Sequence, residues 1–221
     1  MKTKWFSASV QENYKQLREK LVGHQFDENI GWGFEIMKFS PDRLQARYSE
    51  RVPVNEVIID PYGEKNIVEY NKYINFTFWL VPDVRGGHTL IIENPPRSIK
   101  YFIENFVKCT NGGFYVSSKD ISIEKFVEFF KEKFKEVSFR KAKLKGLTFS
   151  KYTSGNLEVE SSRDALIDID DYLPNASYRL DKSKVIVIIN DCSYCIDVTS
   201  SGSVVFDEDI FEDVIKAVSK L

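Results

Sequence analysis

Histidine is nearly absent from this sequence: His24 and His88 are the only two. Neither sits beside a G-x-S-x-G or a papain-type cysteine signature, so a Ser-His-Asp or Cys-His catalytic set is not expected. His88 follows Gly86-Gly87 and reads as an ordinary cross-strand residue. Cysteine is scarce as well, with 3 in 221 residues. An odd count in a chain this long makes no disulfide framework and fits the reduced thiols of a cytosol. Cys192 and Cys195 form a lone C-x-x-C. A structural zinc site needs about four ligands, and no second C-x-x-C or C-x-x-H pair exists, so neither metal nor cofactor is expected. Phosphate loops are missing too. Gly86-Gly87 and Gly112-Gly113 lack the following Lys-Ser/Thr and read as turns. No stretch approaches the roughly 20 apolar residues of a spanning helix, and charges interrupt the N-terminus before any signal-peptide run develops. These absences predict a cytoplasmic chain without membrane contact, and they leave no recognisable catalytic motif.

What is present is apolar and aromatic. Hydrophobic residues make up 43% of the chain, enough for a sizeable core. Aromatics reach 14%, which favours strands and bulky interiors. The length predicts a single domain over 1–221, and leaves open two intimate lobes, 1–151 and an acidic 152–221. Net charge is −2, but it is unevenly spread. Residues 131–151 hold eight basic and two acidic side chains (+6), and 152–221 hold six and fourteen (−8), leaving 1–130 neutral. Chance and solvated faces account for this as readily as a basic site beside an acidic lobe.

Helical spacing of Val10, Tyr14, Leu17 and Leu21 predicts a helix over 8–22, stopped by Gly23. Strands follow at 31–39, 43–52, 56–60 and 66–70, with turns at Ser40-Pro41-Asp42 and Pro61-Tyr62-Gly63-Glu64. In 68–81, Val68, Tyr70, Ile74, Phe76, Phe78 and Leu80 share one face by period-two alternation, with Lys72 the polar interruption. Turn chemistry at Pro82-Asp83 and Gly86-Gly87 makes 68–93 a hairpin. Helices are predicted at 99–109 and at 123–137, capped by Ser98 and Ser122, and at 207–220. The acidic residues Asp164, Asp168, Asp170 and Asp171 read as a solvated loop. Strands joined by short turns predict an α+β fold, mainly antiparallel, with about four helices.

The most informative segment is the strand over 139–152. Lys141, Lys143 and Lys145 alternate with Ala142 and Leu144, so the lysines project from one sheet face. After Gly146 the apolar positions move to Leu147 and Phe149, the signature of a glycine bulge. Lysines about 7 Å apart along a strand match the spacing of successive phosphates on one nucleic-acid strand. Arg140 adds a fourth charge, making Arg140, Lys141, Lys143 and Lys145 a candidate nucleic-acid-binding row for double-stranded DNA. The competing explanation is edge protection, in which lysines on an exposed strand discourage aggregation.

The run FTFWLVPDVRGGHTLIIENPPRSIKYFIENFVKC (76–109) gives strand, glycine turn, strand and helix. GGFYVSSKDISIEKFVEFFKEKFKEVSFRKAKLKG (112–146) continues with strand, helix and basic strand, and CIDVTSSGSVVFDEDIFEDVIKAV (195–218) completes the order. This order resembles the RexA-type phage-exclusion proteins and their relatives in bacterial defence or prophage regions. The resemblance covers about two-thirds of the chain and rests on element order, with no shared motif. It implies a DNA-binding, non-enzymatic protein that forms homo-oligomers. Two other expectations stand beside it: a docking subunit for a protein partner encoded in the same operon, and a nuclease or other hydrolase.

Overall fold

The computed structural model describes residues 1–41, 43–83, 86–150, 152–174 and 176–220. The chain runs β1 (Lys2–Val10), α1 (Tyr14–Val22), β2 (Trp32–Ser40), β3 (Arg43–Ile59), β4 (Lys65–Pro82), β5 (His88–Glu93), α2 (Lys100–Cys109) and β6 (Phe114–Ser118). It continues through α3 (Ile123–Lys133), β7 (Glu136–Ser150), β8 (Thr153–Glu160), α4 (Ala165–Tyr172), β9 (Arg179–Ile189), β10 (Cys192–Thr199), β11 (Ser203–Val205) and α5 (Phe211–Ser219). All named strands join one antiparallel sheet in the order β2-β3-β4-β5-β1-β11-β10-β9-β7-β8, with β6 also on β1. The fold is α+β, with five helices among the described residues rather than about four.

β1 organises the molecule. β5 pairs with one of its edges; β11 and β6 share the other, all antiparallel. Each side of β1 is a helix, four sheet strands and a helix: α1-β2-β3-β4-β5-α2, and α3-β7-β9-β10-β11-α5 with β8-α4 inserted after β7. The helices of the two units pack on opposite sheet faces. Phe76, Phe78 and Leu80 of β4 join a core with Leu17 and Leu21 of α1 and Phe102 and Phe106 of α2. Trp79 and Val81 of the same strand join a core with Phe126 and Phe130 of α3 and Val214 and Val218 of α5. Successive strand residues face opposite ways, so the unbroken run Phe78–Val81 is buried because both faces of β4 are covered.

Several expectations are corrected. Residues 2–10 form the central strand, and the helix starts only at Tyr14. Asn13 and Gln16 close a capping box: Gln16 N–H donates to Asn13 Oδ1 at 3.0 Å, and Asn13 N–H to Gln16 Oε1 at 3.3 Å. The segments 43–52 and 56–60 are one strand through Pro53, and 66–70 continues into 71–82. Pro53 lacks an N–H, but β2 stops pairing at Glu50, so nothing on that edge asks for one. Val68 and Tyr70 are exposed rather than part of the core face. The acidic stretch expected as a loop is α4. The third helix ends at Lys133, because Phe134 is already extended and Glu136 starts β7. α2 is not capped by the Ser98 side chain in the expected way: Ile99 holds the N-cap position without a side-chain bond. Asp42, within the expected Ser40-Pro41-Asp42 turn, lies outside the described residues, as do Val84 and Arg85 within the 83–87 turn.

Candidate nucleic-acid interface

The lysine row depends on a backbone irregularity. Phe139 pairs with Val185, but the next pair is Lys141 with Lys184, leaving Arg140 as an extra, bulged residue. The bulge changes the phase of the strand: Phe139, Ala142 and Leu144 are buried, and Lys141, Lys143 and Lys145 point the other way. Gly146, at φ 65°, sits in the second irregularity, after which Leu147 is buried. The Phe149 side chain expected beside it lies outside the described side chains. Arg140 leaves the row. Its guanidinium donates to the Ser162 carbonyl and, at 3.2 Å, to the Arg163 carbonyl, tying the loop before α4 to β7.

β7 is not an edge strand. β8 flanks it on one side and β9 on the other, so edge protection does not explain its lysines. Directly opposed residues of antiparallel strands share a face. One line of side chains therefore crosses the sheet from Glu160 through Lys141, Lys184, Asp197 and Val205 to Lys2. The next line runs Glu158, Lys143, Lys182 and Thr199. This is the face away from α3, α4 and α5. Three alternating pairs thus meet on it: Lys2 and Lys4 of β1, Lys141 and Lys143 of β7, Lys182 and Lys184 of β9. They set six ammonium groups against the carboxylates of Glu158, Glu160 and Asp197.

The carboxylates divide the lysines into two kinds. Lys141 Nζ lies 2.9 Å from Glu158 and 3.8 Å from Glu160, and Lys145 Nζ lies 2.8 Å from Asp181. The bond from Lys141 holds the Glu158 carboxyl below its usual range, with the Lys141, Lys143 and Lys182 charges adding to it. The bond from Lys145 does the same for Asp181. These pairs face solvent, where water and salt screen the attraction, and they contribute little to stability. Among the described residues, Lys143, Lys182 and Lys184 have no carboxylate within 4.0 Å, and neither does Lys2; Lys4 donates to the Ser201 carbonyl at 2.5 Å.

Lys182 and Lys184 were legible as Lys-Ser-Lys, and Lys2 and Lys4 as Lys-Thr-Lys, the same alternation as Lys141-Ala-Lys143. What the sequence does not reveal is that strands so distant along the chain are neighbours.

The other candidates have structural employment. Asp164 is buried and caps α4, accepting N–H bonds from Leu166 at 3.0 Å and from Phe139 at 3.1 Å. Asp168 accepts from Ser161 Oγ at 2.5 Å and from Arg163 at 3.2 Å. Cys192 and Cys195 are three residues apart on β10, so their side chains leave opposite faces. Burial pushes the Cys195 thiol up. His24 Nδ1–H donates to the Lys20 carbonyl, 2.9 Å away, and the ring stacks on Trp32. His88 packs edge-on against Tyr14, and burial lowers its pKa. Among the described residues no group of three or more His, Cys, Asp or Glu side chains could hold a metal ion, and no helix is long and apolar enough to cross a membrane.

Comparison with protein-family models and with curated proteins finds no match to this chain.

Proposed function

We propose that this chain is a non-enzymatic DNA-binding protein that holds duplex backbone on the open sheet face built by β1, β7 and β9. The observation that carries the reading is the convergence of three alternating lysine pairs on one uncovered face, with Lys143, Lys182 and Lys184 unpaired by carboxylates among the described residues. Ammonium groups in a row neutralise phosphates and release counterions, and this contact reads charge rather than base sequence. Among the described residues the face has no aromatic row between the lysines, which favours duplex backbone over stacked single strands. The sequence's resemblance to the RexA-type phage-exclusion proteins is what suggests a role in a bacterial or prophage anti-phage defence system.

Glu158 and Glu160 compete with phosphate for Lys141. Glu158→Gln is therefore expected to tighten duplex binding in a gel-shift titration, by up to the one phosphate contact that Lys141 becomes free to make. Binding of both proteins should weaken between low and high salt. Unchanged affinity in Glu158→Gln would mean that Lys141 does not lie on the nucleic acid.

A further inference from the structure

β3 and β4 run on together past the rest of the sheet. β2 stops pairing at Glu50, and β5 begins pairing only at Phe78, while β3 and β4 stay in register from Leu44–Leu80 to Ile59–Lys65. Residues 52–72 thus form a two-stranded arm, closed by a tight turn. Asp60 accepts N–H bonds from Tyr62 at 2.9 Å and Glu64 at 2.8 Å, and Gly63 takes φ 88°. The arm is ordered at its base as well: Tyr73 hydroxyl donates to Glu28 at 3.1 Å, and Arg51 lies 3.4 Å from the same carboxylate.

Its surface is that of a strand built for burial. Val57, Ile58, Ile59, Ile67, Val68 and Tyr70 are all exposed, Ile67 to 68%. At roughly half exposure, and about 200 Å² for a large side chain, these six leave on the order of 600 Å² uncovered, shared between the two faces of the ribbon: Val57, Ile59 and Ile67 on one, Ile58, Val68 and Tyr70 on the other. Each face thus carries about 300 Å² of exposed apolar surface, the size of the largest apolar patches on monomers, which are often functional, and the edge of β4 between them has no strand partner among the described residues before Phe78. A two-stranded ribbon alone in water is marginal at best. The arm is no extension of the lysine face. Glu56, Asp60, Glu64 and Glu69 outnumber Lys65 and Lys72, a net of −2 that repels phosphate.

We propose that the arm is a dimerisation element: β4 of one copy pairs antiparallel with β4 of a second copy along residues 65–75. β4 is the pairing edge because β3's open edge carries Pro53, which offers no N–H. Two-fold antiparallel pairing sets one residue directly against its own copy, and like charges rule out some centres. Centring on Glu69 opposes two carboxylates, and centring on Lys72 opposes two ammonium groups. Centring on Tyr70 stacks the two tyrosines and sets Ile67 against the second copy's Tyr73, with no like charges opposed. This inference goes beyond the DNA-binding reading and does not depend on it.

Sedimentation velocity on the full chain tests it, without nucleic acid. The wild type should sediment as a concentration-dependent dimer. Val68→Lys/Tyr70→Lys, at exposed positions that leave the fold intact by circular dichroism, should weaken the dimer at least about 30-fold, as loss of an interface hot spot does. In a Cys192→Ser/Cys195→Ser background, Tyr70→Cys should cross-link on mild oxidation. Tyr62→Cys should not, because the two tips lie roughly 50 Å apart at about 3.3 Å per residue. A wild type that stays monomeric at every concentration overturns the proposal. So does a dimer that ignores the arm substitutions, or one in which Tyr62→Cys cross-links as readily as Tyr70→Cys.

Discussion

Replacing Phe78 with alanine is expected to destabilise the protein by about 3–5 kcal/mol, the cost of removing a fully buried phenylalanine. Phe78 is wholly buried on β4. Its ring sits 5.1 Å from Phe102, 5.9 Å from Phe106 and 6.1 Å from Phe34, centre to centre, in edge-to-face geometry. Rings from α2, β2 and β4 meet there, so truncation leaves a cavity that rigid neighbours cannot close. The range covers both the lost transfer energy and that cavity. Urea unfolding reads the loss as a lower midpoint at unchanged slope. A loss under about 1 kcal/mol would mean that the α1–α2 face of the sheet is not a packed core.

Asp83→Ala should cost a similar amount, about 3–5 kcal/mol, by a different mechanism. Lys119, in the connection from β6 to α3, is 6% exposed. Its ammonium bonds the Asp83 carboxylate and, at 3.1 Å, the Thr89 hydroxyl; that hydroxyl donates to Asp83 at 3.1 Å. The group joins the β4–β5 turn of the first unit to the entry of the second. Removing the carboxylate strands a buried ammonium with one hydroxyl for company, and that uncompensated charge is the main cost. Lys119→Met in the Asp83→Ala background should therefore recover part of the loss, since no buried charge remains. A double variant as unstable as Asp83→Ala alone would show that packing, not charge, sets the penalty.

The sequence made the β4–β5 hairpin legible because its signals are local: alternation, Pro82-Asp83 and Gly86-Gly87. α2, α3 and α5 were legible from their apolar stripes to within a few residues. β1 was not, because its pattern ran directly into helical spacing at Tyr14, and Asn13-x-x-Gln16 was the one mark separating them. α4 was obscured by acidity; its buried side is small, Ala165 and Ile169, and Asp164 is its cap. The arm could not be told from core strand, since Val68 and Tyr70 carry the same alternation as Phe76 and Phe78. Alternation says that a face wants cover, not where the cover comes from. The repeated helix–four strands–helix arrangement about β1 was hidden as well, because the two units share topology without a sequence period. At the candidate site the lysine alternation on β7 was readable. The neighbouring carboxylates of β8 and the matching lysines of β1 and β9 required the strand order.

That strand order also moves the expected effect of mutation. Lys141 and Lys145 already bond carboxylates, so on β7 and β9 the lysines that matter most to a phosphate backbone are Lys143, Lys182 and Lys184. The log–log dependence of duplex affinity on salt tests backbone binding by this face most directly. Wild-type affinity should fall linearly as salt rises. Lys143→Gln/Lys182→Gln/Lys184→Gln should flatten the slope by about 2.7, at roughly 0.9 for each phosphate no longer neutralised. The weakening should be equal across unrelated duplex sequences. Stability should stay within about 0.5 kcal/mol of wild type, because the three positions are away from the cores. An unchanged slope in the triple variant, or a wild type with no salt-sensitive duplex binding, would contradict nucleic-acid binding by the open sheet face.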